Sequence, residues 1–260
     1  MFITLKKCNI KYSMSFSIIL PTLNEAGHIV KLVESISFVM KNELHEIIIV
    51  DDGSTDQTPL LCKKLKQRKK RLKFFSRKGQ KKNLAKSIML GIDESRFQNI
   101  IWLDADFQHP PEYLKLFIRN QKQYDVIIFS RFLAKSKRYF ENKELKKEVN
   151  ENQSIFFNKL CKFLLFNNIT DYTSGFICIK KHIFNDYMLK GYYGDYFINL
   201  VTYCVLNNYS IKELPYKEKA RYSGISKTYP EISYKYFILL YKYLFCLIKN
   251  LLFKFFRRKF

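Results

Sequence analysis

At 260 residues with a hydrophobic share of 47%, the chain can bury one sizeable core, which argues for a globular protein and against disorder. Its net charge of +23 invites an anionic partner (nucleic acid, an acidic membrane surface or a phosphorylated substrate) or reflects a lysine-rich composition in which Asn, Ile, Phe and Tyr are also abundant. The six cysteines are scattered, with no C-x-x-C and no nearby histidine, which excludes a disulfide framework and a zinc site and leaves them as small apolar residues of a reducing compartment.

In chain order, the apolar stretch Phe16 to Leu20 stops at Pro21, too short for a signal-peptide core, and reads as a buried strand. A helix follows, since Ile29, Leu32, Val33, Ile36 and Val39 recur at helical spacing. "EIIIVDDGSTDQT" is a second buried strand ending in acids and a Gly turn, with Thr55 or Asp56 expected to cap the next helix. "RLKFFS" is a third strand, "KKNLAKSIMLGI" a helix, "NIIWLDAD" a fourth strand and "YDVIIFSR" a fifth. Residues 135–152 read as a loop or a solvated helix, "SIFFNKLCKFLLFNN" as an apolar helix, and "SGFICIKK" as a strand. "GDYFINLVTYCVLNN" is a further helix, and "IKELPYKEKARYSGISKT" a strand running into a Gly/Ser/Lys turn. Strands alternating with helices predict a mostly parallel sheet covered on both faces, with ligands beyond the carboxyl ends of the strands. Pro21-Thr22, Asp51-Asp52, Asp104-Asp106 and Ser130-Arg131 all fall at such ends.

The last segment, "ISYKYFILLYKYLFCLIKNLLFKFF", is different in kind. Lys235, Lys242 and Lys249 recur every seven residues and drift about 40° in total, so they form one narrow stripe in an otherwise apolar helix. A bilayer span would place a lysine near mid-membrane at about 2.5–3.5 kcal/mol. A helix lying in the membrane plane avoids that cost, and a core helix of the domain is the competing reading. The expected division is a leader at 1–14, one domain at 15–230 and a basic amphipathic membrane-associating helix at 231–260.

Two aspartates separated by one alanine, Asp104 and Asp106, repel one another unless something cationic lies between them. On an extended backbone they face the same way, and Gln108 continues that spacing with a neutral oxygen. Oxygen ligands of this kind suit Mg²⁺ or Mn²⁺, which share their remaining positions with water and substrate phosphates. A capped turn leading into the helix begun by Pro110-Pro111 is the alternative.

The pieces "ILPTLNE", "IIVDDGSTDQT", "LDADFQHPPE", "FSR", "DYTSGF" and "RYSGISK" follow one another in this order. With them the chain resembles the GT-A-type inverting glycosyltransferases of family two, especially the polyprenyl-phosphate sugar transferases such as dolichyl-phosphate mannosyltransferases. The resemblance implies an α/β GT-A fold: a Rossmann-like, mostly parallel sheet flanked by helices. It places Pro21, Leu23, Glu25, Val50 and Asp52 in the nucleotide pocket. Asp104, Ala105 and Asp106 would meet the ribose, phosphates and a Mg²⁺ or Mn²⁺ ion, with Gln108 completing the metal site. Arg131, Arg221 and Lys227 would hold phosphates, Arg131 and Ser154 that of the acceptor. Asp171 and Ser174 belong to a motif of the same site, and Asp195 to an acidic position near it.

The implied activity is transfer of a hexose from GDP-mannose, UDP-glucose or a related donor to a polyprenyl (dolichyl or undecaprenyl) phosphate at the cytoplasmic face of a membrane. A lipid phosphate is mostly ionised at neutral pH and needs no general base. A sugar-hydroxyl acceptor, the alternative, demands one, and Asp195 is the available candidate. The chain departs from the family pattern at Phe129, often glycine, at Asn150, often arginine, and at Lys82-Asn83-Leu84, often a Gly-rich turn. A nucleic-acid-binding module is disfavoured, because the acids gather where phosphate would bind and no zinc-finger, RNP-like or helix-turn-helix pattern is present.

Overall fold

The computed structural model describes residues 14–133, 145–191, 194–219 and 234–257. The elements run β1 (Ser15–Thr22), α1 (Ile29–Val39), β2 (Leu44–Asp51), α2 (Thr58–Arg68), β3 (Leu72–Ser76), α3 (Leu84–Asp93) and β4 (Asn99–Trp102). They continue with α4 (Leu114–Asn120), β5 (Val126–Ser130), α5 (Leu145–Leu164), β6 (Ile177–Lys180), α6 (Asp195–Leu206), β7 (Ile211–Pro215) and α7 (Tyr234–Arg257). Seven strands form one sheet in the order β3-β2-β1-β4-β6-β5-β7. The pairs β1–β2, β1–β4, β2–β3 and β5–β7 are parallel, so the mostly parallel sheet expected from the alternation is present. β6 alone runs against both its neighbours, β4 and β5.

Both faces of the sheet are apolar, which is why its strands read as continuous rather than alternating runs. On one face Phe16, Ile18, Leu20, Ile47 and Ile49 meet Leu32, Val33 and Ile36 of α1 and Leu65 of α2. On the other, Ile19, Ile48, Val50 and Trp102 meet Ile88 and Ile92 of α3 and the buried sides of α5, α6 and α7. α3 approaches β1 so closely that a Cβ at Gly91 would lie 2.5 Å from Ile19 Cγ2, a distance only glycine accommodates.

Two local expectations change. β4 ends at Trp102, so Asp104 and Asp106 lie beyond the strand, Asp106 in a turn. Phe107, at φ 66°, turns the chain between Asp106 and Gln108 and interrupts the every-second-residue spacing there. The residue capping α2 is Gln57; Asp56, one position earlier, accepts the Thr58 N–H at 2.9 Å and the Ala26 N–H at 3.2 Å. Of the two readings of residues 135–152, a loop or a solvated helix, the helix holds from Leu145, where α5 begins.

α7 is neither wholly core nor wholly free. Cys246, Leu247 and Asn250 are buried against α6, and the Asn250 amide donates to Asn199 Oδ1 at 2.8 Å. Lys254 donates to the carbonyls at the end of α5, those of Leu164 and Leu165. On the opposite arc Leu244, Phe245, Ile248, Leu252 and Phe255 are exposed, spread over roughly 100° at 100° per residue, with Lys242 and Lys249 along one border. Among the described residues no helix is long and apolar enough to cross a membrane.

Candidate active site

The strand order reverses between β1 and β4, and the crevice beyond the carboxyl ends of these two strands is the position where open α/β sheets bind ligands. Pro21 and Thr22 end β1, and the Asp52 N–H donates to Thr22 O at 2.9 Å, tying the end of β2 to it. Asp51 shapes the following turn: its carboxylate accepts the N–H groups of Gly53 at 3.2 Å and Ser54 at 3.1 Å and the Ser54 hydroxyl. Asn24, in the left-handed region at φ 55°, clasps this turn from β1, accepting the Thr55 N–H at 2.8 Å. Glu25 is buried against His28, and its N–H donates to Thr58 Oγ1 at 2.8 Å. Leu23 is half-buried at the mouth, whereas Val50 has 0% exposure and lies in the core beneath the site.

Asp52 faces inward to a residue that sequence reasoning passed over. The guanidinium of Arg77, 3% exposed, bonds the Asp52 carboxylate, Asn83 O at 2.9 Å and Ser87 Oγ at 3.0 Å through Nη1, and Lys81 O at 3.1 Å through Nη2. The other Asp52 oxygen accepts the Asn83 N–H at 2.6 Å. Burial raises the Asp52 pKa, with the Asn83 N–H and the Arg77 charge pulling against that shift. Asn83 lies in the Lys82-Asn83-Leu84 stretch where the resemblance implied a Gly-rich turn. Its Oδ1 caps α3 through the Lys86 N–H at 2.9 Å, and its Nδ2 donates to Gly191 O at 3.1 Å. The signal for Arg77 was topological: it is the first residue past β3, as Asp52 is past β2.

Beyond β4, Asp104 is half-buried and Ala105 and Asp106 are buried. Asp106 Oδ1 accepts the Gln108 N–H at 3.0 Å, closing a tight turn. His109 Nδ1 accepts the Asp104 N–H at 3.0 Å while its ring stacks on Phe176 at 4.9 Å. Burial pushes this imidazole down to about 4, so the ring is neutral and Nδ1 stays an acceptor. The donor set here is two carboxylates and one amide oxygen, all hard. Among the described residues no group of three or more His, Cys, Asp or Glu is placed to hold a metal ion by itself, and the five described cysteines are buried and free. One or two carboxylates beside a diphosphate is the usual holding for Mg²⁺, so the residues fit a divalent ion that arrives with its substrate.

Arg131, just past β5, is held in place before any substrate arrives. Its Nε and Nη2 fork onto the two oxygens of Asp171, each at 2.8 Å, its N–H donates to Asp171 Oδ2 at 3.0 Å, and Nη2 also reaches Thr173 Oγ1 at 2.9 Å. Only Nη1 is outside this clasp, 3.9 Å from Glu218. Burial would raise the Asp171 carboxyl, but the Arg131 charge and the hydrogen bonds from Arg131 and Thr173 hold it below the usual range. Ser154 lies one turn before Asn158 on α5, and Asn158 bonds Thr173 at 3.1 Å and the Tyr172 N–H at 2.7 Å. Asn158 also donates to the Ser154 backbone carbonyl at 2.8 Å, so it is the backbone of Ser154 that joins the Arg131–Asp171 network, and the Ser174 hydroxyl donates to Phe129 O of β5.

Asp195 is buried as the first residue of α6. Gly191, at φ +149°, leads into it, and a Cβ there would lie 2.7 Å from Tyr196 N and 2.8 Å from Asp195 Oδ2. Asn83 therefore touches both the Asp52 cluster and the segment that positions Asp195. Arg221, Lys227 and the Lys135–Arg138 cluster lie outside the described residues.

The sequence profile described as Glycosyl transferase family 2 matches residues 17–188. A dolichol-phosphate mannosyltransferase of Pyrococcus furiosus is 29% identical over 171 residues, 65% of this chain and 47% of its own. One of Mycosarcoma maydis is 26% identical over 236 residues, 85% of this chain and 76% of its own. The chain thus spans about half the length of the archaeal relative. Among solved structures, glucosyl-3-phosphoglycerate synthase of Mycobacterium tuberculosis, crystallised with Mn²⁺, UDP and glucosyl-3-phosphoglycerate, superposes with a TM-score of 0.65 at 14% identity, over 91% of this chain and 80% of that one. With the profile covering the sheet from β1 to β6, the chain belongs to glycosyl transferase family 2.

Proposed function

We propose that this protein transfers a hexose from a nucleoside-diphosphate sugar to the phosphate of a polyprenyl phosphate, with inversion, at a membrane surface. The observation that carries the acceptor assignment is the broad exposed apolar arc of α7 bordered by Lys242 and Lys249. Exposed apolar patches of this breadth mark partner or membrane surfaces, and lysines along their border suit anionic headgroups. Likeness to dolichol-phosphate mannosyltransferases supports the same reading.

In this reading Pro21, Leu23 and Glu25 line the nucleotide pocket, with Val50 beneath it and Asp52 shaping its wall through Arg77 and Asn83. Asp104, Asp106 and Gln108 would hold Mg²⁺ or Mn²⁺, which supplies positive charge where the departing diphosphate gains negative charge. Arg221 and Lys227 would add cationic contacts to the donor phosphates. His109 keeps the Asp104 backbone in position, and the Gln108 N–H holds Asp106 Oδ1 in the turn. Ser154 and the Nη1 edge of Arg131 face the acceptor phosphate. An ionised phosphate attacks without a base, so Asp195 is needed only if the acceptor is a hydroxyl.

The test is transfer of radiolabelled sugar from a donor panel to polyprenyl phosphate, with and without Mg²⁺ or Mn²⁺. Metal-dependent, organic-extractable product is expected. No lipid product with donor binding intact would overturn the lipid-phosphate acceptor and make Asp195 the residue to replace.

Deleting α7 is a poor test of membrane attachment, because Cys246 and Leu247 cover α6 and their loss would open the core. Charges on the exposed arc avoid that. Phe245→Asp with Ile248→Asp should leave thermal stability within a few degrees and lower sedimentation with anionic liposomes at least ten-fold. Undiminished sedimentation would refute the attachment surface.

A further inference from the structure

At the opposite end of the sheet from the crevice, a cleft of about 200 Å³ is lined by Ser37 of α1, His45 and Ile47 of β2, and the 69–72 link into β3. His45 and Asp52 are separated by seven residues of largely extended chain, about 23 Å at 3.3 Å per residue, so the cleft is distinct from the candidate active site. Its charged lining is Lys69, Lys70 and Arg71, and no carboxylate lines it. Lys69 Nζ lies 3.5 Å from Ser37 Oγ, which itself donates to Val33 O at 2.7 Å. His45 Nδ1 sits 3.0 Å from Glu43 O, a carbonyl that can only accept, so Nδ1 is the protonated nitrogen of that ring.

The cleft belongs to the run "KKLKQRKKRLK", residues 63–73, which holds eight cations and no acid. Of these, Lys73 pairs with Glu46 at 3.1 Å, and among the described residues the other seven have no ion pair. The ordinary explanation for cations at this end of an α/β sheet is the negative pole of a helix. α1 and α2 both end here, at Val39 and Arg68, and each pole is worth roughly half a charge. Two poles offset about one of the seven. The cations that remain would repel one another less with a multivalent anion between them.

We propose that this cleft binds a phosphate-bearing anion, either a lipid headgroup or a soluble phosphate or diphosphate. The shared chemistry is a compact multivalent oxyanion, met by the ammonium groups of Lys69 and Lys70 and the guanidinium of Arg71. The site stands on its own charge and geometry and is independent of the sugar-transfer reading.

The experiment is a titration of the ¹⁵N-labelled full chain with inorganic pyrophosphate in EDTA, which disables any metal-dependent diphosphate binding at the Asp104–Gln108 turn. Saturable amide shifts at Ser37, Ile47 and Leu72 are expected, weakened at least ten-fold in Lys69→Gln/Lys70→Gln/Arg71→Gln. The control Lys63→Gln/Lys64→Gln/Lys66→Gln removes the same charge from α2 outside the cleft and should weaken binding less than three-fold. Absence of saturable shifts at those amides, or equal weakening in the two triple variants, would overturn the site in favour of diffuse surface charge. Sedimentation with phosphatidylcholine vesicles, with and without phosphatidylglycerol, then separates the sources. Loss of the phosphatidylglycerol-dependent part in the cleft variant assigns a lipid headgroup, and its retention alongside lost pyrophosphate binding assigns a soluble anion.

Discussion

Asp106→Asn should lower sugar transfer by about 10²–10³-fold or more, the scale seen when one preorganised electrostatic group at a developing charge is removed. The substitution is close to isosteric. Asp106 Oδ1 accepts the Gln108 N–H at 3.0 Å, and an asparagine oxygen can take over that bond, so the turn beyond β4 should keep its shape. What disappears is the negative charge, and with it the hard anionic ligand that a divalent ion needs beside the donor diphosphate. Steady-state transfer and a Mn²⁺ titration of donor binding check this together. A folded variant should show weakened metal-dependent donor binding as well as lost turnover. Wild-type-like turnover would remove Asp106 from the metal site, and the turn would then be no more than a cap on the segment begun by Pro110-Pro111.

Asp171→Asn should destabilise the fold by up to about 3–5 kcal/mol, because it removes the carboxylate charge paired with the largely buried Arg131 guanidinium and leaves it the more distant Glu218 at 3.9 Å. For a chain of this size that is a fall in Tm on the order of 10 °C. Arg131 gives Asp171 a backbone N–H, Nε and Nη2, so the loss is that of a bidentate, charge-assisted pair. The dependence on pH has a definite sign. The folded Asp171 carboxyl lies below its ordinary value, so the stabilisation is fully present above about pH 4 and is lost as pH falls through the lower folded value. The difference in Tm between wild type and Asp171→Asn should therefore be constant near neutrality and narrow below about pH 4. An unchanged Tm at pH 7 would show that the pair adds no net stability. The double variant Arg131→Met/Asp171→Leu should recover part of the lost Tm, since it removes both charges from the interior.

These two residues also mark the limit of a one-dimensional reading. Asp106 was visible because an apolar strand ran directly into acidic residues. That Asp171 meets Arg131 was not visible, since the two are separated by 40 residues and joined only when β5 and the loop before β6 come together. The resemblance placed Arg131 on a phosphate; the fold gives most of its fork to a carboxylate first. Val50 was placed in a pocket by the same resemblance, and its full burial puts it in the floor beneath.

The sequence by itself determined the elements and the end of the sheet where chemistry gathers. Apolar runs of strand length alternating with helical periodicity leave few alternatives to a doubly covered, mostly parallel sheet, and polar residues that close each run must fall at a strand end. It also determined that α7 is a helix with a lysine stripe, because periodicity is local. Only the tertiary structure decided that β6 runs antiparallel, because strand direction depends on which distant strands supply the hydrogen bonds. Only it decided which arc of α7 is covered. Every arc of that helix carries bulky apolar side chains, and the choice fell to the one where Cys246, Leu247 and Asn250 fit α6 and the Asn250 amide finds Asn199.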